Sequence, residues 1–325
     1  MSGTGLYIPE SGAFCASTMR PFPLFLILAL FTCSLRAQAP VAVAPPQRPI
    51  AAIERVCVIS IDGLRPDRAL WAEMPNLRSL AREGTYTFWA RTTPLAITLP
   101  SHMSMLTGVT PGKHGIEWNR DLPFVQPVYS RVPTIFEMAI RSGYTTGVVA
   151  GKSKFSVLNK PGTLTYTAIV DEKRYGSNAE VIADARRVIE EAKPQLLFLH
   201  FPDVDGAGHG KGWGSAEQLA AIERTDEALG QVLEAMERAG TRQHTAIIIS
   251  ADHGGAGLTH GPDDPRSRHI PWIINGPGVR QGFDLTQIGN LEVNTEDTAA
   301  TACYLLGLRI PPYFDGKPIL QAFVE

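Results

Sequence analysis

Four cysteines in 325 residues are too few for a disulfide scaffold, and two of them, Cys15 and Cys33, sit in an N-terminal stretch that reads as a leader. The other two, Cys57 and Cys303, lie in apolar segments that read as a buried strand and a helix, so two buried thiols are expected rather than a bridge. No apolar run approaches the length of about 20 residues that crosses a bilayer. Neither charge sign is in excess: 30 Lys and Arg against 32 Asp and Glu leave a formal charge of −2. With no long basic run, nucleic-acid binding has no support as a main role. No repeat is evident, which argues against a solenoid and for one large globular domain.

The N-terminus has a recognisable grammar. Met19-Arg20, the apolar run Phe22 to Cys33 and then Ala37-Gln38-Ala39 are the three parts of a secretory signal peptide. Residues 1–39 are therefore expected to be a signal peptide, with Met19 a candidate true start. Leu30-Phe31-Thr32 lacks the small residue that a lipoprotein signal places before its cysteine. A freed chain beginning near Pro40 is expected, periplasmic or secreted, with no transmembrane segment after cleavage. Residues 40–52, rich in Pro and Ala, read as an exposed linker, and residues 53–325 as a single domain.

Within that domain strand-like and helix-like runs alternate. Strands are expected near 55–61, 85–90, 144–150, 196–201, 245–250 and 271–274, and helices near 75–83, 133–142, 178–192, 215–239 and 295–307. This is the pattern of an α/β fold with a mainly parallel central sheet and helices on both faces. The longest helix, Ser215 to Arg238, carries an apolar stripe through Ala216, Leu219, Ile222, Leu229 and Leu233. The glycine-rich stretch Gly276 to Leu285 reads as turns.

Three clusters of acids and histidines each follow an apolar run. Asp62-Gly63 follows Val56 to Ile61; Asp203-Val204-Asp205-Gly206-Ala207-Gly208-His209 follows Leu196 to Phe201; Asp252-His253-Gly254 follows Ala246 to Ala251, with His260-Gly261 shortly after. Ligands bind outside the carboxyl ends of the strands in open α/β sheets, so the clusters should converge there and could hold metal ions. A separate stretch, Pro94 to Asn119, places Thr98 just before a short helical run, Ser101 to Leu106. A hydroxyl at a helix start lies beside unpaired backbone N–H groups that favour an arriving anion. Taken alone, Thr98 or Ser101 would read as an N-cap.

Together these residues resemble the alkaline phosphatase superfamily, and most closely its type I phosphodiesterase/nucleotide pyrophosphatase branch. Thr98-Leu99-Pro100-Ser101-His102 resembles the branch's nucleophile motif, and Asn119 falls where the branch has a substrate-binding asparagine. Asp205-Gly206-Ala207-Gly208-His209 resembles its D-x-x-G-H motif, Asp252-His253-Gly254 its D-H-G motif, and His260-Gly261 with Ile270-Pro271-Trp272 its closing H-G segment. The five occur in the family's order and span about residues 56–318.

The resemblance implies a metal-dependent phosphoric ester hydrolase with Thr98 as nucleophile and two divalent ions, expected to be zinc, although manganese or iron also fits such ligands. One ion would be held by Asp62, Asp252 and His253, the other by Asp205, His209 and His260. Asp203 is set aside as a residue that could orient a ligand, and His269 as an ordinary polar residue. His102, His114 and His200 are expected to be structural. Lys152 and Lys154, in Gly151-Lys152-Ser153-Lys154, resemble a lysine pair of phosphonoacetate hydrolases and are expected to contact a small-molecule phosphate ester; the rival reading is a solvated loop. Diesters rank first as substrates, monoesters or phosphonates second. A sulfatase ranks lower, because threonine cannot form the aldehyde made from that group's Cys or Ser, and so does a binding protein that has lost catalysis.

Overall fold

β1 (Arg55–Ile61) is buried from Val56 to Ile61 and has a parallel neighbour on each side. Its sequence therefore lacks the alternation of a strand with one wet face. The computed structural model describes residues 46–120, 128–170, 177–261 and 264–324; the expected signal peptide and the first part of the expected linker lie outside them. Seven more strands complete one sheet: β2 (Thr85–Arg91), β3 (Thr146–Ala150), β4 (Tyr166–Ile169), β5 (Leu196–Phe201), β6 (Thr245–Ser250), β7 (His269–Asn275) and β8 (Phe283–Asp284). Their order is β4-β3-β5-β1-β6-β7-β2-β8. β7 runs antiparallel to both its neighbours, and the remaining pairings are parallel. The sheet is thus mainly parallel, and its four central strands β3, β5, β1 and β6 all point the same way.

The helices are α1 (Pro66–Trp71), α2 (Pro75–Arg82), α3 (Thr98–Thr107), α4 (Pro111–His114), α5 (Ile135–Arg141), α6 (Asn178–Arg187), α7 (Asp203–Lys211), α8 (Ala216–Arg238), α9 (Pro265–Arg268) and α10 (Asp297–Leu305). α2 and α6 pack with α8, and α3 and α5 pack with α10, two groups that cover the two faces of the sheet. Thr134 with Glu137 and Ser177 with Glu180 form capping boxes that start α5 and α6. Cys57 and Cys303 are free and buried, in β1 and α10.

Some expectations are revised. The expected 178–192 helix is α-helical only to Arg187, then widens into a π-helical turn over Val188–Ala192 that ends at Lys193 with φ 47°. The buried stripe of α8 is rotated from the expected one: Ala216 is exposed, while Ala221, Ala228, Val232 and Ala235 are buried beside Ile222 and Leu229. The stripe also contains a buried carboxylate, Asp226, which accepts hydrogen bonds from the backbone N–H groups of Asn76 and Leu77 and so caps α2. α7 is a helix despite three glycines in nine residues, a composition that conceals it from propensity reasoning. Among the described residues no helix is long and apolar enough to cross a membrane.

Candidate functional site

Strand register delivers the site. Ile61 lies beside Phe201, Ser60 lies between His200 and Ser250, and Ala150 lies beside His200. The chain therefore leaves β1, β5, β6 and β3 at one edge, carrying Asp62, Asp205, Asp252-His253 and Lys152 to a common place. This is the carboxyl edge, where open α/β sheets bind ligands. Gly63 has φ +77°, a Cβ on it would lie 3.0 Å from Asp205 Cα, and its N–H donates to Asp252 Oδ1 at 3.1 Å. The Asp-Gly turn is thus also the joint that lets three acids meet.

The histidines are oriented by backbone carbonyls. Nδ1 of His253 lies 2.8 Å from Gly254 O, that of His260 lies 2.9 Å from Ala96 O, and that of His209 lies 2.9 Å from Leu258 O. A carbonyl can only accept, so each Nδ1 carries a proton, and in the neutral ring Nε2 is the nitrogen left to present a lone pair. Burial and the neighbouring His260 push His253 down to about 4, which leaves it neutral at ordinary pH.

Around His253 stand three buried carboxylate oxygens with no hydrogen-bond partner: Asp62 Oδ1, Asp205 Oδ1 and Asp252 Oδ2. They lie 3.5, 3.9 and 3.2 Å from His253 Nε2. Unpartnered acceptors clustered in a protein interior are costly unless a cation completes them. Asp62, Asp252 and His253 offer ligand atoms within 4.8 Å of one another, as do Asp205, His253 and His260. Mixed carboxylate and imidazole donors suit a divalent transition metal. His209 stands at the rim: its side chain is 45% exposed and its Nε2 is 3.4 Å from Asp205 Oδ1. The tight grouping thus has His253 where the sequence suggested His209.

The charges differ sharply within a few ångströms. Burial and the Asp62 charge push Asp252 well above the usual carboxylate range. Burial works in the same direction on Asp62, but the Lys152 ammonium and the His200 hydrogen bond outweigh it and hold that carboxyl well below the usual range. Lys152 itself is 3% exposed and lies 2.7 Å from Asp62 Oδ2 and 2.5 Å from Asp205 Oδ2. Burial opposes its charge, yet Asp62 and Asp205 raise its pKa above that of a free lysine.

Thr98 is the first residue of α3, and the N-cap is Ile97, which makes no side-chain cap. The Thr98 hydroxyl is therefore not used for capping. It is 1% exposed and lies 3.3 Å from His253 Nε2. Two residues earlier Ala96 has φ 44°, a strained conformation for a residue with a Cβ, and its carbonyl is the one that orients His260. Ser101 points elsewhere, bonded to Thr92 Oγ1 at 2.9 Å. Asn119 Oδ1 accepts from Leu99 N at 3.0 Å and from Lys154 Nζ at 3.1 Å, so Asn119 and Lys154 form one unit beside the start of α3.

Other histidines and acids take separate places. His269 stacks on Trp89, ring centroids 4.0 Å apart. Asp203, a candidate for orienting a ligand, instead accepts from Asn178 N at 3.1 Å at the start of α6. His114 is buried against Ser104, 3.1 Å away. Sequence reasoning missed three contributors. His200 Nε2 lies 2.7 Å from Asp62 Oδ2, and His102 bridges the Thr98 carbonyl and the Ser60 hydroxyl, each at 2.7 Å. Trp213 donates to Gly63 O at 3.0 Å and lies against Gly208 and Gly255, where any Cβ would strike its ring. A signal for His200 does exist, because a histidine one residue from the end of a buried strand shares the register of Ser60, two residues before Asp62.

The family described as type I phosphodiesterase/nucleotide pyrophosphatase matches residues 56–265. The chain is 28% identical over 217 residues to an uncharacterized pyrophosphatase/phosphodiesterase of Schizosaccharomyces pombe, covering 62% of this chain and 44% of that protein. It is 25% identical over 255 residues to ectonucleotide pyrophosphatase/phosphodiesterase family member 7 of Homo sapiens, covering 73% of this chain and 54% of that one. The chain thus spans about half the length of these curated relatives. Murine ectonucleotide pyrophosphatase/phosphodiesterase 5, solved as an inactive form in complex with AMP, superposes with a TM-score of 0.70 at 16% identity, over 83% of this chain and 100% of that one. A 2-O GAG sulfatase superposes with a TM-score of 0.68 at 16% identity, over 83% and 74% of the two chains. At such identities these two likenesses are to the fold.

Proposed function

Because the chain belongs to the type I phosphodiesterase/nucleotide pyrophosphatase family, we propose that it hydrolyses phosphoric esters through a covalent intermediate on Thr98. The observation that carries this reading is the Thr98 hydroxyl, 3.3 Å from His253 Nε2 and not used as a cap, at the edge of the ring of unpartnered carboxylate oxygens. Two divalent ions, zinc first among the candidates, would be held by Asp62, Asp252 and His253 and by Asp205, His260 and His209, supplying charge to lower the hydroxyl's pKa and to stabilise the leaving oxygen.

The residues then have distinct tasks. The Thr98 oxygen attacks phosphorus, the bond to the leaving oxygen breaks, and water later cleaves the Thr98 ester. The start of α3 offers backbone N–H groups to the phosphoryl oxygens. Asn119, held through its Oδ1 by Leu99 N and Lys154, would serve the substrate as an amide donor. Lys154 adds a positive charge beside it, which favours groups with a second negative charge. Diesters rank first by family, and monoesters or phosphonates come second because of that lysine. The sulfatase fold likeness brings no aldehyde precursor to Thr98. Secretion or export to a periplasm accompanies this reading and rests on residues 1–39.

The test is Thr98→Ala. Turnover of a panel of diesters, monoesters, phosphonates and sulfate esters should vanish, while metal content and the melting temperature stay near wild type. Activity within a few-fold of wild type would reject the assignment.

A further inference from the structure

Lys152 is used differently from an ordinary anion-binding lysine. The chain leaves β3 through Gly151, whose missing Cβ makes room for Pro202 Cγ, 2.4 Å from where a Cβ would sit. Beyond this passage the Lys152 side chain is buried against Asp62 and Asp205. Its ammonium takes Oδ2 of both acids, at 2.7 and 2.5 Å, and His200 Nε2 shares the Asp62 Oδ2 at 2.7 Å. The oxygens left without partners on these same acids are both Oδ1. Each carboxylate is divided: Oδ2 is committed to the protein and Oδ1 is kept for a ligand.

We propose that Lys152 is a resident counter-cation of the metal site, which bridges the two groups of ligands before any ion arrives, fixes which oxygen each acid offers, and lowers the affinity for the ions it neighbours. The inference rests on the metal reading above and concerns Lys152 alone. Its physical basis is that three carboxylates cannot be gathered in a dry interior without a compensating cation. The same positive charge, a few ångströms from a divalent ion at an effective dielectric of about 20, repels that ion strongly. The chain thereby gains a site that holds its shape when empty and releases metal more readily than its ligands alone would.

The experiment compares wild type with Lys152→Met, Lys152→Gln and Lys152→Arg in the full chain. Zinc affinity is read by competition with a chromogenic chelator, and melting temperature is read before and after stripping by chelation. Met and Gln, both uncharged, should bind zinc at least about tenfold more tightly than wild type. Their stripped forms should melt lower by roughly 5 °C or more, because a buried ion bridge has lost its cation. Arg, which keeps the charge, should follow wild type in both. A Met variant that folds only with zinc present is the expected result in its extreme form, and Gln then supplies the affinity. Zinc affinity at or below wild type in both neutral variants, or an unchanged stripped melting temperature, overturns the proposal. Wild-type protein that takes up neither zinc, manganese nor iron refutes the metal reading itself, and the stripped melting comparison, which needs no metal, still decides whether Lys152 holds the carboxylates together.

Discussion

One side of the sheet is an unbroken run of like-directed strands and the other is interrupted by the single reversed strand β7, and the acids and the lysine of the site track that difference. In the parallel half, β3, β5, β1 and β6 end together, and the turns beyond their ends carry buried acids, a buried lysine and a buried histidine. On the other side β7 alone is reversed, so it reaches the same edge at its start rather than its end. It places His269 there, stacked on Trp89, which is 64% exposed, while β2, directed like the central strands, leads on to Thr98. Both sides bring a histidine to one edge, yet His253 is surrounded by the turns that leave β1, β5 and β2, whereas His269 meets Trp89. A strand's carboxyl end can splay a turn over its neighbours' turns. A reversed strand has its start at that edge, so β7 sends no such turn over the site.

Breaking the cluster around His253 should cost most. His253 belongs to both ligand groups, so His253→Ala should lower kcat/KM by roughly a thousandfold or more, about 4 kcal/mol of transition-state stabilisation. Elemental analysis should show metal lost along with activity. His200→Phe keeps the ring volume and removes the donor to Asp62; zinc affinity should fall about 10- to 100-fold, the usual cost of losing a partner that orients a ligand.

The side of the molecule carried by β7 and α10 should respond through stability instead. Burial raises Glu296, at the start of α10, to about 7. Between about pH 4.5 and 7 the folded chain holds a proton that the unfolded chain has released, so stability falls as pH rises through that window and levels off above it. Glu296→Gln should remove this loss, gaining about 1–2 kcal/mol over wild type at pH 8 relative to pH 4.5 in urea unfolding, with kcat unchanged. His269→Ala should have the smallest effect, under about twofold on kcat/KM, since its ring meets Trp89 and not the ligand cluster. Metal loss in His269→Ala alongside retention in His260→Ala would invert the comparison.

The half of the site that is set by strands is legible in the sequence, and the half that depends on packing is hidden there. Asp62, Asp205, Asp252 and His253 are legible because each comes shortly after a mainly apolar run, and parallel register then decides where they meet. His200 and His102 are hidden because inside a strand or helix a histidine looks the same whether it fills the core or orients a neighbour. Lys152 is legible as a candidate but not in its placement, which depends on Gly151 passing Pro202, a contact distant along the chain. His209 is bounded in a similar way: its spacing from Asp205 is right for one helical face, yet the Leu258 carbonyl holds its ring at the rim. In the fold, α8 is plain from its period, whereas Asp226 within its buried face is unreadable until α2 supplies the N–H groups it caps.

In the proposed mechanism the Thr98 oxygen is the atom that meets phosphorus. Zinc-loaded protein mixed with a phosphate ester, quenched in acid during turnover and digested for mass spectrometry, should yield a phosphoryl or ester-phosphoryl adduct on Thr98 that is absent from Thr98→Ala and disappears once substrate is spent. Sustained turnover with no adduct on Thr98, or with the adduct on Ser101, would contradict it.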